Sequence, residues 1–112
     1  LVNYNVSVPG MVELFAVISA EATRADHPAH DFFKKRYAET ISLTTAAMAD
    51  LQNEGYLNPG LDPEDLGRAI VALSDGLQVQ WLLDRKWDML DEHKSFFRRV
   101  LNQKAQILTG LI

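Results

Sequence analysis

Apolar residues recur at spacings of three and four along most of the chain, which is the period of an amphipathic helix. A first helix is predicted from about Pro9 to Thr23. Proline suits the first turn of a helix, so Pro9 marks the start. The helix must end before Pro28, because the residue that precedes a proline is disfavoured in the helical backbone conformation. A second helix is predicted from Pro28 to about Asn53. The threonine-rich stretch 40–45 is unfavourable for a helix, so a kink or a break is expected within it.

The second half of the chain predicts two further helices. The third has a capping Asp62 and a first-turn Pro63, and it is expected to end at Arg85–Lys86, where basic residues suit the negative end of the helix dipole. The fourth is predicted from Asp88 to about Leu108. No stretch alternates apolar and polar residues with a period of two, so no sheet is expected. The sequence predicts a single all-α domain, an antiparallel helical bundle.

The third predicted helix is apolar on two faces. One face comprises Leu66, Ile70, Leu73, Leu77 and Trp81, and the other comprises Ala69, Ala72, Gly76, Val79 and Leu83. Exposed apolar area favours association by about 25 cal/mol per Å², and a mid-helix glycine costs roughly 1 kcal/mol unless a close backbone approach compensates for it. A symmetric dimer through the last two helices is the preferred interpretation. The alternative is that the small residues face the chain's own first or second helix.

Composition narrows the possible functions. Apolar residues make up 47% and charged residues 23% of the 112 residues, and the net charge is −4, which disfavours binding of these residues to a phosphate backbone. The absence of cysteine excludes disulfides and thiolate zinc sites. The longest apolar run, Ala69–Leu73, is too short to span a membrane, and no signal peptide is visible at the start. A reducing cytoplasm is the expected compartment.

Candidate catalytic and metal-binding residues are few. His27, His30 and Asp31 have a spacing that allows metal binding, but a polar helix start explains them more simply. A lone His93 beside acidic residues could accept a proton, although such a histidine is more often structural. The serines have no nucleophile elbow and no partner histidine that the sequence reveals. We therefore predict no catalytic residue, no metal site and no cofactor.

Asp75 is an acidic residue in a mostly apolar helical stretch. If it is buried, its carboxylate needs a partner, for which Arg36, Arg68 and a ligand cation are candidates. The alternative is an exposed or salt-bridged aspartate on a third face of the helix.

Several segments, in their order and spacing, resemble the C-terminal regulatory half of TetR-type transcriptional repressors over roughly residues 9 to 108. They are Pro9–Phe15, His27–Tyr37, Gly55–Leu57, Leu61–Leu66 and Leu73–Asp84. The resemblance implies a TetR-like C-terminal domain in which residues 1–112 form one ligand-binding and dimerisation unit. It also implies that DNA is bound by an N-terminal helix-turn-helix that this chain lacks.

The resemblance also assigns residues to sites. It implies a homodimer and a pocket for a small apolar effector, whose binding alters the spacing of two DNA-reading heads. The pocket residues expected are Phe15, Ile18, Phe33, Tyr37, Ile41, Leu77 and Trp81. The interface residues expected are Ala69, Ala72, Gly76, Val79, Leu83, Phe97 and Leu101. Two other functions remain: a stand-alone helical interaction module without a small ligand, and, less consistent with the missing catalytic residues, a small helical enzyme.

Overall fold

Five helices make up most of residues 7–110, the part of the chain that the computed structural model describes. They are α1 (Pro9–Glu21), α2 (His30–Asn53), α3 (Pro63–Leu83), α4 (Met89–Val100) and α5 (Gln103–Thr109). Apart from one isolated bridge between Leu57 and Leu101, residues 7–110 form no β-structure. The all-α fold predicted from the sequence is confirmed. Helix α2 packs most extensively on α3, which also contacts α1 and α4.

The threonine-rich stretch does not interrupt α2. This helix runs through all 24 residues, so the expectation of a kink or break at residues 40–45 was wrong. The Thr40 hydroxyl donates to the Arg36 carbonyl, and the Thr44 hydroxyl donates to the Thr40 carbonyl, each at 2.8 Å. These hydroxyls bond to carbonyls one turn back along the same helix, which satisfies them without unwinding it. The helix also begins at His30 rather than at Pro28.

The third predicted helix ends earlier than expected and the fourth is divided in two. Helix α3 stops at Leu83, because the Asp84 backbone is extended and its carboxylate accepts from the Lys86 amide at 3.1 Å in a local turn. Helices α4 and α5 are separated at 101–102. The Asn58 backbone amide donates a hydrogen bond of 2.9 Å to the Val100 carbonyl at this point. Contacts from the 55–58 loop, together with Asn102, which caps α5 through the Ala105 amide, therefore divide this segment.

The buried residues form two clusters. One joins the end of α2 to α4 and α5, and its buried members are Met48, Leu57, Leu66, Val100, Leu101 and Ala105. The other joins α3 to the start of α4 and comprises Leu77, Trp81 and Met89. The Cα atoms extend over 45 × 31 × 18 Å, so the chain is a slab about two helices thick. Among residues 7–110, one face of α3 is left largely exposed.

Gly67 allows α2 and α3 to approach closely. A Cβ atom built on this buried glycine would lie 2.9 Å from the backbone nitrogen of Thr45 and 3.0 Å from its Cα. One interpretation of the sequence assigns a close approach of this kind to Ala69, Ala72 and Gly76. The close approach lies at Gly67, whereas a Cβ atom at Gly76 would meet no atom of residues 7–110 within 4 Å outside its own helical turn.

Candidate effector site and dimer face

A small cavity lies where the end of α1 meets the start of α2. It has a volume of about 180 Å³ and is lined by Ser19, Ala22, Thr23, His30, Phe33, Lys34 and Tyr37. The Phe33 ring is buried and contacts the Phe15 ring edge to face, with centroids 5.1 Å apart. The floor of the cavity is therefore aromatic, whereas its rim carries hydroxyls, an imidazole and an ammonium group.

Of the seven residues predicted for an effector pocket, Phe33 and Tyr37 line this cavity. Phe15 touches Phe33 and is 41% exposed, and its ring also lies 5.0 Å from the Arg36 guanidinium. Ile18 and Ile41 are half-buried on α1 and α2. Leu77 and Trp81 lie elsewhere, in the buried cluster with Met89. Periodicity did not distinguish these core residues from cavity residues, because both face the interior.

Tyr37 connects the cavity to α3. Its phenol donates a hydrogen bond of 2.5 Å to Oδ2 of the half-buried Asp75. Burial raises the pKa of Tyr37 to about 12, assisted by the hydrogen bond and the negative charge of Asp75 and opposed by Ser19 and Arg36. The phenol is therefore protonated at neutral pH and donates its one hydroxyl hydrogen to Asp75. The partner of Asp75 is thus a tyrosine, and not Arg36 or Arg68, two of the candidates named from the sequence.

A second polar contact joins α3 to α4. The Ser74 hydroxyl lies 3.1 Å from Nε2 of His93, and Nδ1 of His93 lies 2.8 Å from the Met89 carbonyl. Because a carbonyl only accepts, Nδ1 carries a hydrogen, and in a neutral ring Nε2 accepts from Ser74. The partner histidine of Ser74, which the sequence did not reveal, is therefore His93. The ring is 8% exposed and its second nitrogen faces a backbone carbonyl, so the pair holds two helices together.

The histidines considered for a metal site have protein partners. Nδ1 of His27 accepts from the Ala29 amide at 3.0 Å, and Nδ1 of His30 lies 2.8 Å from the Ala22 carbonyl. Across residues 7–110, no group of three or more His, Cys, Asp or Glu residues is placed to hold a metal ion. His30 instead fixes the start of α2 against the end of α1, beside the cavity.

The residues predicted for a dimer interface divide into two groups. Ala69 and Ala72 are exposed on α3, Val79 is 48% exposed and Leu83 is 83% exposed, while Gly76 is half-buried. Leu101 is 5% exposed and belongs to the cluster around Met48, and the half-buried Phe97 packs against that cluster. The α3 residues are therefore available to a partner, whereas Leu101 contacts its own chain.

A larger apolar cleft lies at the opposite end of α2 and was not predicted from the sequence. It has a volume of about 340 Å³ and is lined by Leu51, Tyr56, Phe97, Leu101, Ala105, Leu108 and Thr109. The residues come from two separated stretches of sequence, 51–56 and 97–109, which the tertiary structure brings together. Within residues 7–110, no helix is long and apolar enough to cross a membrane.

The chain was compared with known families, proteins and structures. The sequence model of the C-terminal domain of BetI-type transcriptional repressors, a TetR-type domain, matches residues 9–104. No curated protein and no solved structure was found to match. Because the matched region covers most of the 112 residues, the chain belongs to this family of transcriptional repressor domains.

Proposed function

From this family membership, we propose that the chain is the effector-binding and dimerisation domain of a cytoplasmic transcriptional regulator and has no catalytic role. Two copies associate through α3, with α4 beside it, and a small, mainly apolar molecule binds in the cavity next to Phe33 and Tyr37. DNA is contacted by a helix-turn-helix segment that these 112 residues do not contain. The effector favours one arrangement of the two copies and so sets the distance between their DNA-reading segments.

The exposed face of α3 is the observation that carries this proposal. Val79 and Leu83 are large apolar residues at about 50% exposure or more, and they continue the line of Ala69, Ala72 and Gly76. Apart from the adjacent residues and the backbone of its own helical turn, no atom of residues 7–110 lies within 4 Å of a Cβ position on Gly76, so packing among these residues does not require a glycine there. A second helix approaching this face would account for both the small residues and the exposed leucine.

The cavity supports the effector part of the proposal. Its volume of about 180 Å³ is sufficient for one aromatic ring, and the site is open to solvent on one side. Aromatic rings beneath a rim of polar groups are typical of pockets in which a few hydrogen bonds orient a mostly apolar ligand. DNA-reading heads must lie about 34–36 Å apart to meet successive major grooves, so a small change in the dimer is sufficient for control.

The dimer is tested by placing a charge on α3. The wild-type chain should sediment as a dimer and Leu83→Arg as a monomer, because the arginine would bury a charge without a partner. Leu43→Arg is the matched control, since Leu43 on α2 is 73% exposed and outside the proposed face. A monomeric wild type, or a Leu83→Arg variant that stays dimeric, would refute the α3 interface.

The effector is tested separately by thermal unfolding with a panel of small aromatic and aliphatic compounds. A ligand at a hundredfold excess over its dissociation constant should stabilise the domain by about 2.7 kcal/mol. A dimer that no such compound stabilises would instead favour an interaction module without a small ligand.

A further inference from the structure

Tyr37 is both a wall of the small cavity and a hydrogen-bond donor to α3. Its ring faces the cavity beside Phe33, and its phenol is bonded to Asp75 on the neighbouring helix. A molecule in the cavity therefore contacts a side chain whose hydroxyl hydrogen is already donated to the Asp75 carboxylate. This contact links the proposed effector site directly to the helix that carries the proposed dimer face.

The hydroxyl hydrogens around the cavity are committed to the protein. Thr23 donates to the Ala20 carbonyl at 2.8 Å. Ser19 lies 3.0 Å from the Ala16 carbonyl and also within hydrogen-bonding reach of Tyr37. Each hydroxyl has one hydrogen, so these groups present lone pairs to a ligand. Asp75 is not itself in the cavity lining; its carboxylate, which only accepts, lies behind Tyr37 and becomes reachable where the phenol moves aside. The arrangement offers acceptors to a molecule that brings its own donor.

We propose that the Tyr37–Asp75 pair recognises a small, mainly apolar effector bearing a neutral hydrogen-bond donor, such as a hydroxyl group, and that the effector replaces Tyr37 as the donor to Asp75. This inference rests on the proposed effector function of the same cavity. The replacement breaks the Tyr37–Asp75 hydrogen bond that joins α2 to α3. The ligand therefore favours the arrangement of the two helices in which this hydrogen bond is absent.

The position of Asp75 on α3 explains why this exchange would reach the dimer face. Its neighbour Ser74 bonds to His93 of α4, and its other neighbour, the half-buried Gly76, belongs to the proposed dimer face. The close approach at Gly67 fixes α3 against α2 eight residues earlier, about 12 Å along the helix at 1.5 Å per residue. Opening the bond at Asp75 leaves α3 held at Gly67 and able to shift beyond it.

The charges near the cavity favour a neutral ligand. Lys34 lines the rim and would oppose a cation, whereas Asp75 would oppose an anion that approached Tyr37. Recognition of an anion by Lys34 is the main competing arrangement. An anion paired with Lys34 would also approach the Asp75 carboxylate behind Tyr37, which opposes it, whereas a neutral donor gains the hydrogen bond to Asp75 without that repulsion.

The first experiment compares benzyl alcohol with benzoate, which have the same ring and differ in the polar group. Calorimetry on the wild-type chain should show at least about tenfold tighter binding of benzyl alcohol. Asp75→Asn should remove most of this preference, and Asp65→Asn, an exposed carboxylate on the same helix, should keep it. Equal or tighter binding of benzoate, no binding of benzyl alcohol, or an unchanged preference in Asp75→Asn would overturn the proposal.

The second experiment distinguishes recognition from a structural role. Tyr37→Phe removes the internal donor that competes for Asp75, so benzyl alcohol should bind roughly tenfold more tightly, the lower end of the factor expected for a hydrogen bond to a charged group. Tyr56→Phe, at the larger cleft, is the control and should leave the affinity unchanged. Weaker binding to Tyr37→Phe would show that the phenol supports the site rather than competes for it, and would overturn the exchange.

The third measurement follows the dimer. Saturating benzyl alcohol should change the dimer dissociation constant of the wild type by at least about threefold and leave that of Tyr37→Phe nearly unchanged, since its bond is already absent. The same result in both proteins would refute the proposed link to α3. A wild type that is monomeric at every concentration would refute the proposed dimer function itself, whereas a stable dimer indifferent to the probe refutes only this inference.

Discussion

Alanine substituted at two glycines of the same helix should have opposite effects on stability. In an ordinary helical site, Gly→Ala stabilises by about 1 kcal/mol because alanine loses less backbone entropy on folding. Gly76→Ala should show this gain, since its Cβ would meet no atom within 4 Å. Gly67→Ala should not, because its Cβ would lie 2.9–3.0 Å from the backbone of Thr45, where ordinary contacts are 3.4–4 Å.

The magnitude follows from what must move. A contact with a flexible side chain could be relieved by a rotamer change, but here the backbones of α2 and α3 must separate along their most extensive interface. Such overpacking costs about 1–3 kcal/mol, and a backbone contact belongs at the upper end of that range. Subtracting the helical gain of about 1 kcal/mol leaves Gly67→Ala about 2 kcal/mol less stable than the parent.

The assay is urea unfolding of both variants in a Leu83→Arg background, in which the unfolding of a monomer is measured. The two variants should differ by about 3 kcal/mol, which at slopes of about 1–3 kcal/mol per M separates their midpoints by at least roughly 1 M. Thr45→Ala should not rescue Gly67→Ala, because the close atoms include the Thr45 backbone. Equal stabilisation by both alanines would refute the close approach of α2 and α3 at Gly67.

Three further predictions concern single side chains. Trp81→Ala should cost about 3–5 kcal/mol in chemical unfolding, because this 6%-exposed ring fills the cluster with Met89; a loss below about 1 kcal/mol would contradict its core position. The raised pKa of Tyr37 favours the folded state below pH 10, and this contribution to stability should disappear as pH rises from about 10 to about 12. In a pH titration followed by tyrosinate absorbance, the step at the highest pH should be absent from Tyr37→Phe. Asn102→Ala should cost about 1–2 kcal/mol in thermal unfolding, since Asn102 caps α5 through the Ala105 amide and donates to the Gly55 carbonyl; an unchanged melting temperature would contradict both bonds.

The sequence was most informative where a local rule determined the structure. Asp62 and Pro63 fixed the start of α3, and the Asp62 carboxylate does accept from the Glu64 amide at 3.2 Å. Asp88 likewise caps α4 through the Leu90 amide at 2.9 Å. A capping residue acts on amides two or three positions away, so its effect is contained in the order of the residues.

The sequence was less reliable where distant residues decided the outcome. The break at 101–102 combines the Asn58 amide, which donates to the Val100 carbonyl, with the capping Asn102, and the apolar period that continues across 101–102 concealed that local signal. The threonines of α2 bond back to their own helix, although their propensity favours interruption. Helix propensities amount to less than about 1 kcal/mol per residue, so a few tertiary contacts are sufficient to override them.

For the candidate site, the sequence alone determined the aromatic and apolar character of the interior and the two-faced nature of α3. It placed Phe33 and Tyr37 on one stripe because residues four apart share a helical face. Only the tertiary structure decided that Tyr37 reaches Asp75, that Ser74 meets His93, and that Leu77 and Trp81 pack away from the small cavity. The physical reason is that periodicity gives the direction of a side chain on its own helix, whereas a hydrogen bond or a cavity depends on how two helices are placed against each other. Gly67 determines much of that placement for α2 and α3, and its lack of a side chain leaves no apolar pattern that could reveal it.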